Sequence, residues 1–596
     1  MTELLPASTD DPLVRRLRPA VPNRWSDAPV AVRVAALSKT FMLPGERQTT
    51  VRERAGRPFT KTGRERLHAL SDVDFEVRRG ELFGIIGRNG SGKSTLLRCI
   101  AGIYVPDEGR ITVDGRLASF ISLGVGFNSQ LSARENAYQS AVLFGLRPAD
   151  AAARLDDMIR FAELERFADQ KLKYLSSGMA ARLAFAVTIN VDADILLFDE
   201  VLAVGDAAFR NKCIDQFEGL IERGKTILLV SHDTRTVENS CDRALLLNHG
   251  QVVAMGEPAD VVRRYDDITA AASKTRREDA RPHVPEPPAG SPSFRPRRRL
   301  ARGRQALGFV FRPVTKPLAA LTRPLLGRTS MLGNDPRHFF VLTRMLAVTD
   351  FRLKYKHAIF NYAWAVARPA ALFTVMLFIF GALGRFNRGI PHYPAYLVLG
   401  LVIWMFFAQA AAGCVACLTK RSDLLQKLPF PRLAVPLATV SSAGIDLVIN
   451  LVVVFVVMLA TGVSPRLSWL ELPFLLAIVA VFATAVGFML SALYVRYRDL
   501  DQLWAVLSQT LFYLTPIFYA AAHLPAQVRE PLVLANPLAT VFAQARHAMI
   551  DSSAPTAAQL VGGYGMLLVP LAVVFGLVGL GLVVFARESP RISEHV

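Results

Sequence analysis

One short run constrains this chain more than any other: Gly87-Arg88-Asn89-Gly90-Ser91-Gly92-Lys93-Ser94, followed by Thr95. It sits between an apolar stretch, Leu82 to Ile86, that reads as a buried strand, and an apolar-periodic stretch, Thr95 to Ile100, that reads as a helix. A glycine-rich loop in that setting turns backbone N–H groups and a helix N-terminus towards one point, which suits a triphosphate. It has the form of a Walker A loop, in which Lys93 reaches the β- and γ-phosphates and Ser94 holds magnesium. ATP and Mg²⁺ are therefore the expected cofactors. The same chain carries six stretches apolar enough to span a bilayer. Nucleotide chemistry joined to membrane spans implies a machine that uses ATP to move something across a membrane.

The chain has 596 residues, room for several domains, and its 52% apolar content and positive mean hydropathy arise mostly in the second half. Five scattered cysteines (Cys99, Cys213, Cys241, Cys414 and Cys417) are too few for a disulfide framework and fit a reducing compartment. Cys414 and Cys417 form a CxxC inside an expected membrane helix, where they read as small packing residues rather than a redox or metal site. Residues from Thr2 to Asp27 are polar and proline-punctuated, so no signal peptide is expected.

A net charge of +19 raises the question of nucleic acid, but its distribution argues for a membrane surface. Between Thr269 and Pro336 there are fourteen Lys or Arg against four Asp or Glu, in a Pro-rich stretch that includes Arg297-Arg298-Arg299. Such a segment buries too little apolar surface to offset its ordering entropy and reads as a disordered linker. Its positive charge belongs on the cytoplasmic side, beside anionic lipid. The expected partner is the bilayer, not RNA or DNA.

From about Val30 to Ile268 short β-branched runs alternate with helical stretches, the pattern of an α/β nucleotide-binding domain. The run Ile195 to Phe198 is an apolar strand that ends in Asp199 and Glu200. A strand end delivers side chains to the carboxyl edge of the sheet. There Asp199 would bind magnesium and Glu200 would polarise the attacking water as general base. Two further pieces are Leu175-Ser176-Ser177-Gly178-Met179, just before an apolar helix, and Ser231-His232-Asp233, just after the apolar strand Thr226 to Val230.

With these four motifs in order, the first half resembles the ATPase domain of ABC transporters, the signature taking the form LSSGM. The resemblance implies two ATPs shared between two head-to-tail chains. Leu175, Ser176, Ser177, Gly178 and Met179 of one chain would close over the phosphates held by Lys93 of the other. His232 would contact the γ-phosphate, Asp206 would be the D-loop residue, and Phe41 falls where the family stacks an aromatic on adenine. The stretch Ser119 to Phe127 lacks the glutamine usual there, and Gln130 is not read as its equivalent. That glycine-rich version, followed by Leu131 to Asn136, is similar to the exporters of O-antigen, capsular polysaccharide and teichoic acid.

The expected plan is a disordered segment at 1–29, the ATPase domain at 30–268, the basic linker at 269–336 and an all-α six-helix transmembrane domain at 337–596. The six spans are Tyr362 to Leu383, Pro394 to Cys417, Leu437 to Thr461, Leu472 to Tyr494, Leu503 to Ala521 and Val561 to Ala586. Lys420, Arg421, Lys427, Arg432, Arg496 and Arg498 fall in loops on the ATPase side, the cytoplasmic one, whereas Arg385 and Arg388 fall outside. His338 to His357 reads as an amphipathic helix on the cytoplasmic face. Leu424 to Pro436 is a broken connection placed to rest on the ATPase. This half resembles the permease of ABC-2-type exporters, although that polysaccharide group usually keeps ATPase and permease on separate chains.

At membrane depth, Asp446 and Asn450 are one helical turn apart and face either a bundle interior or a pore. Arg368 is expected to snorkel. Trp404, Phe406, Phe407, Phe512, Tyr513, Phe518 and Tyr519 read either as packing and interface anchors or as a conduit lining, with Trp404, Phe407, Tyr513 and Tyr519 the candidates for stacking on sugar rings. The combined resemblance implies a homodimeric exporter of a lipid-linked glycan in a bacterial plasma membrane. Its rivals are a drug or lipid exporter and a membrane-tethered ATPase without transport.

Overall fold

The structure, a computed structural model, describes residues 27–42, 66–121, 124–199, 207–279, 335–356, 362–383 and 390–595. Glu200, Asp206, Arg385, Arg388, most of the N-terminal segment and most of the linker lie outside the described residues.

The first half is an α/β domain built on two sheets. Strands β1 (Val30–Met42), β2 (Arg66–Arg78) and β4 (Glu108–Val113) form an antiparallel three-stranded sheet in the order β2-β1-β4. The other sheet runs β5-β6-β7-β3-β8-β9, from β3 (Leu82–Ile86), β5 (Leu117–Phe120), β6 (Ile195–Asp199), β7 (Thr226–Val230), β8 (Arg243–Asn248) and β9 (Gln251–Gly256). Its strands are parallel except β9, which pairs antiparallel with β8. Strands β3 and β7 are buried along their whole length, as a central parallel strand covered on both faces must be.

Helix α1 (Lys93–Ile100) follows β3. Helices α2 (Ala133–Leu143) and α3 (Ser177–Ile189) belong to a separate apolar cluster with Val125, Leu146, Met158 and Leu164, a helical subdomain beside the sheet. Helix α4 (Ala207–Glu222) packs Phe209, Cys213, Ile214 and Phe217 under the sheet. Helix α5 (Pro258–Asp279) runs eleven residues past 268, where the sequence pattern predicts the linker to begin. Residues 270–279, Ala-rich with Lys, Arg, Glu and Asp, have enough intrinsic helix preference to extend it.

Helix α6 (Pro336–Tyr355) opens the second half, capped by Asp335, whose carboxylate accepts from Arg337 N at 2.8 Å. It buries Phe339, Leu342, Thr343, Leu346 and Ala347, an i, i+3, i+4 stripe. The sequence pattern predicts that face lying on lipid. Instead Leu342 joins the apolar cluster of α2, and Leu346 and Ala347 pack with Ala438 of the membrane bundle.

The bundle is formed by α7 (Ala363–Met376), α8 (Tyr393–Val415), α9 (Ala434–Ala460), α10 (Glu471–Arg496), α11 (Leu500–Leu514) and α12 (Leu568–His595). Five helical stretches among the described residues are long and apolar enough to cross a membrane; the expected span Leu503 to Ala521 is not one of them. Helix α11 has 15 residues, about 22 Å at 1.5 Å per residue, and stops before Thr515 and Pro516. The chain then returns through short helices at Ala526–Ala535 and Pro537–Met549. Backbone carbonyls freed at the break are held by two tyrosines of α8. Tyr393 Oη donates to Phe518 O at 3.0 Å, and Tyr396 Oη donates to Tyr519 O at 2.6 Å and also to Pro516 O. Irregular backbone survives at this depth only where protein groups satisfy it.

Cys414 and Cys417 are buried, and Cys414 marks a close helix crossing. A β carbon on Gly487 of α10 would fall 2.8 Å from its Sγ. The connection after α8 rests on the ATPase half. Leu424 and Leu428 join the apolar cluster of α2 and α3, and Arg432 Nη2 donates to Ile103 O at 3.3 Å. Gly126 makes that seat possible: its φ is +81°, and a β carbon would fall 2.5 Å from Leu143 and 3.2 Å from Leu424.

Candidate nucleotide site and membrane cavity

Strand β3 delivers the chain to Gly87, where the backbone turns with φ +156°. A β carbon there would fall 2.2 Å from Leu247 O and 2.6 Å from Ser91 Oγ. Gly92, the residue before α1, has φ +107°, and a β carbon would fall 2.6 Å from Ala69 O. Both positions therefore require glycine on two counts, conformation and space. Among the described residues no side chain caps α1, whose first-turn N–H groups are therefore not taken up by a capping side chain. Gly250 N donates to Ser91 O at 2.9 Å, tying the loop to the β8–β9 turn.

Within this cradle Lys93 is buried, and its Nζ donates to Gly87 O at 2.6 Å and Arg88 O at 3.0 Å. Arg88, Asn89 and Gly90 are exposed, and Thr95 is half-buried. Ser94 Oγ donates to Asp199 Oδ2 at 3.2 Å, so the loop and the end of β6 meet. Among the described residues Ser91 Oγ is buried without a hydrogen-bond partner. An orphaned hydroxyl in the loop that leads into the N-terminus of α1 fits a phosphate. The hydroxyl of Ser94 and the carboxylate of Asp199 are the hard oxygen donors that magnesium selects, and the residues present fit both groups.

The other expected residues are more dispersed. His232 is exposed just beyond β7, whose Val230 pairs with Asp199. Phe41 is half-buried, edge-on to Tyr104 at 5.3 Å between ring centroids, with the Lys39 ammonium 5.5 Å from its ring. Tyr104 carries no sequence signal of its own, since only the fold brings it to Phe41. Ser176 caps α3, its Oγ accepting from Met179 N at 3.2 Å. Ser176, Ser177 and Gly178 are exposed, Leu175 and Met179 half-buried, and among the described residues no hydrogen bond joins Ser176 to the Walker A loop.

Residues 70–203 match the ABC transporter family and residues 342–550 the ABC-2 type transporter family. Over 208 residues the chain is 44% identical to an O-antigen export system ATP-binding protein of Klebsiella pneumoniae, covering 35% of this chain and 84% of that protein. The chain belongs to the ABC transporter family. It is also 47% identical over 202 residues to the ABC transporter protein AbcA of Aeromonas salmonicida, and 42% identical over 212 residues to a teichoic acids export ATP-binding protein of Bacillus cereus. These matches span 34% and 36% of this chain, and 66% and 38% of the relatives' own lengths. The transporter thus joins a nucleotide-binding ABC domain to a multi-pass ABC-2 membrane domain in one polypeptide.

In the membrane half of the transporter, a cavity of about 1070 Å³ opens between α7, α8 and α11. Trp404, Trp504, Phe512 and Tyr513 line it, with Arg368 and Gln409 among its polar groups. Two of the four residues expected to stack on sugars are not there. Phe407 is fully buried, stacked on Phe482 at 5.1 Å, and Tyr519 turns its hydroxyl to Leu514 O at 3.0 Å. Phe407 faces inward because α8 is surrounded by helices on most of its circumference, and Tyr519 is diverted because it lies in the broken segment after α11; local sequence encodes neither. Trp504 and Tyr494 are lining aromatics that the sequence pattern did not single out. Asp446 faces the bundle interior, buried against Lys354 and Tyr355 of α6 rather than against a pore.

The glycine cradle generates a direct test. Gly92→Ala should introduce backbone strain of about 1–3 kcal/mol and displace α1 from the loop. Nucleotide affinity should then fall about ten-fold or more, since about 1.4 kcal/mol is a factor of ten. Titration with a fluorescent ATP analogue measures this, and unchanged affinity would contradict the cradle.

Proposed function

We propose that this transporter uses ATP to export a lipid-linked polysaccharide or related cell-envelope glycan from the cytoplasm across a bacterial plasma membrane. The observation that carries the proposal is the similarity of its ATPase half to O-antigen and teichoic acids export ATP-binding proteins, at 42–44% identity, on a chain that continues into an ABC-2 membrane half. The cavity beside α8 supports it. A long polymer cannot be enclosed and released in one alternation; it needs a continuous path along which it is moved stepwise. Flat rings such as Trp404, Trp504 and Tyr513 grip sugars by stacking, while Gln409 and Arg368 keep the path wet.

Each chain supplies one Walker A loop and one signature, so two composite ATP sites require two chains. Ser176 and Gly178 are exposed, as an approach from a second copy requires. In the assembled site the loop from Gly87 to Thr95 holds the phosphates, with Lys93 supplying positive charge and Phe41 bordering the adenine. Ser94 and Asp199 would hold magnesium, which supplies further positive charge against the phosphates. Glu200 takes the proton of the attacking water, His232 steadies the γ-phosphate end, and Asp206 links the two sites. The ATPase half and the Lys- and Arg-bearing loops share the cytoplasmic side.

Two tests follow from these assignments. Glu200→Gln should retain ATP binding and lose about 10²- to 10⁴-fold in hydrolysis rate, as expected for removal of a general base. Hydrolysis by the purified variant within a few-fold of wild type would refute that role. For the cargo, cells depleted of the protein should accumulate lipid-linked glycan inside and lose it from the surface. Normal surface glycan together with new sensitivity to small hydrophobic toxins would make the protein an efflux pump instead.

A further inference from the structure

Three consecutive residues at the end of α6 touch both halves of the molecule. Lys354 Nζ donates to Asp446 Oδ2 at 2.5 Å and to Gln409 Oε1 at 3.1 Å. Tyr355 Oη donates to Asp446 Oδ1 at 2.8 Å, so both oxygens of that carboxylate are held. Lys356 Nζ, one residue on, lies 3.4 Å from Glu135 Oε2 in the ATPase half. Asp446 is twelve residues into α9, about 18 Å along the helix, and is 5% exposed. A carboxylate at that depth is costly, and a buried ion pair is weak evidence for stability, so its role is better sought in position than in folding energy.

Glu135 is not an ordinary surface carboxylate. It closes the capping box of α2: Ser132 N donates to Glu135 Oε2 at 2.8 Å, and Glu135 N donates to Ser132 Oγ at 3.1 Å. Partial burial opposes its ionisation, but the Ser132 N–H and the Lys356 ammonium outweigh that and hold the carboxyl below its ordinary range.

The loop that enters this box is tied by several hydrogen bonds. Buried Asn136 accepts from Asn128 N at 2.6 Å and donates to the carbonyls of Asn128, Leu131 and Ser132. The same loop is stitched to the segment that leads into the signature. Leu172 N donates to Leu131 O at 2.9 Å, and Lys173 N donates to Ser129 O at 3.1 Å. Ser176 is three residues beyond Lys173.

We propose that the last turn of α6 is a two-sided clip, fastened to the membrane half by Asp446 and to the capping box by Lys356, which makes Asp446 a positioning residue for the signature at Ser176. When α9 moves, the carboxylate carries the end of α6 with it, and Lys356 passes that displacement to the loop stitched to the signature. The inference rests on the proposed role of the signature in a shared ATP site, but not on the identity of the cargo.

The test uses the full chain in membranes with Glu135→Cys and Lys356→Cys. All five native cysteines are buried; burial pushes the Cys213 thiol up to about 12 and the Cys241 thiol higher still, so a short bifunctional thiol reagent reports on the introduced pair. Adding Asp446→Asn, or the milder Tyr355→Phe should the first fail to accumulate, should slow cross-linking several-fold. In chains without the cysteine pair, the same substitutions should lower kcat for ATP hydrolysis several-fold and leave KM for ATP within about two-fold, with Asp446→Glu restoring kcat. Cross-linking that neither substitution alters, or slowed cross-linking with unaltered kcat, overturns the clip. A cargo other than glycan would leave the cross-linking result intact, so failure of the clip and failure of the cargo assignment are separable.

Discussion

A β carbon at Gly87 would overlap the carbonyl of Leu247, and one at Gly92 would overlap the carbonyl of Ala69. The loop between these glycines is therefore clamped from β8 on one side and β2 on the other, at the end of a strand with no exposed residue. Because β3 lies between β7 and β8, the register of the parallel sheet fixes where Asp199 and His232 stand relative to that loop. Chemistry on a phosphate needs donors that do not reorganise as charge develops, and this clamp provides them. The rest of the structure relates to that fixed point: the helical subdomain, apart from the sheet that holds the loop, carries the signature, and the membrane half rests on the helical subdomain.

The seat between the halves is mostly apolar, with few polar ties. Gly126 lets Leu424 come close, Leu342 joins the cluster of α2, and Arg432 reaches Ile103 O. Apolar contact of this kind is non-directional and tolerates small sliding, whereas the bonds at Glu135 and Asp446 have fixed partners. A joint of both kinds can transmit a displacement without coming apart. The short break after α11 adds a second fixed feature, since Tyr393 and Tyr396 hold the backbone carbonyls beyond Thr515 that no helix satisfies.

Much of this was legible from local pattern. The Walker A run, the strand ending at Asp199 and the long apolar helices are written in consecutive residues, where periodicity and glycine placement speak directly. What escaped is non-local or rests on competing signals. Pro516 lay in plain view inside the expected span Leu503 to Ala521, but its apolar surroundings outweighed it; the structure gives the proline priority because the freed carbonyls find tyrosine partners on α8. The partners of Asp446 come from 91 and 92 residues away, so no window on α9 could name them. Phe407 and Trp404 are three residues apart on one helix, and only the neighbours of α8 decide that one stacks inside the bundle while the other reaches the cavity.

Coupling between the glycine cradle and the membrane cavity is the central claim, and it can be measured in one preparation. The purified full chain, reconstituted in proteoliposomes, should hydrolyse ATP faster when lipid-linked glycan is present on the ATPase side, with glycan appearing inside the vesicle in proportion to ATP consumed. ATP hydrolysis that is indifferent to the glycan, with none transferred across the bilayer, would contradict the account.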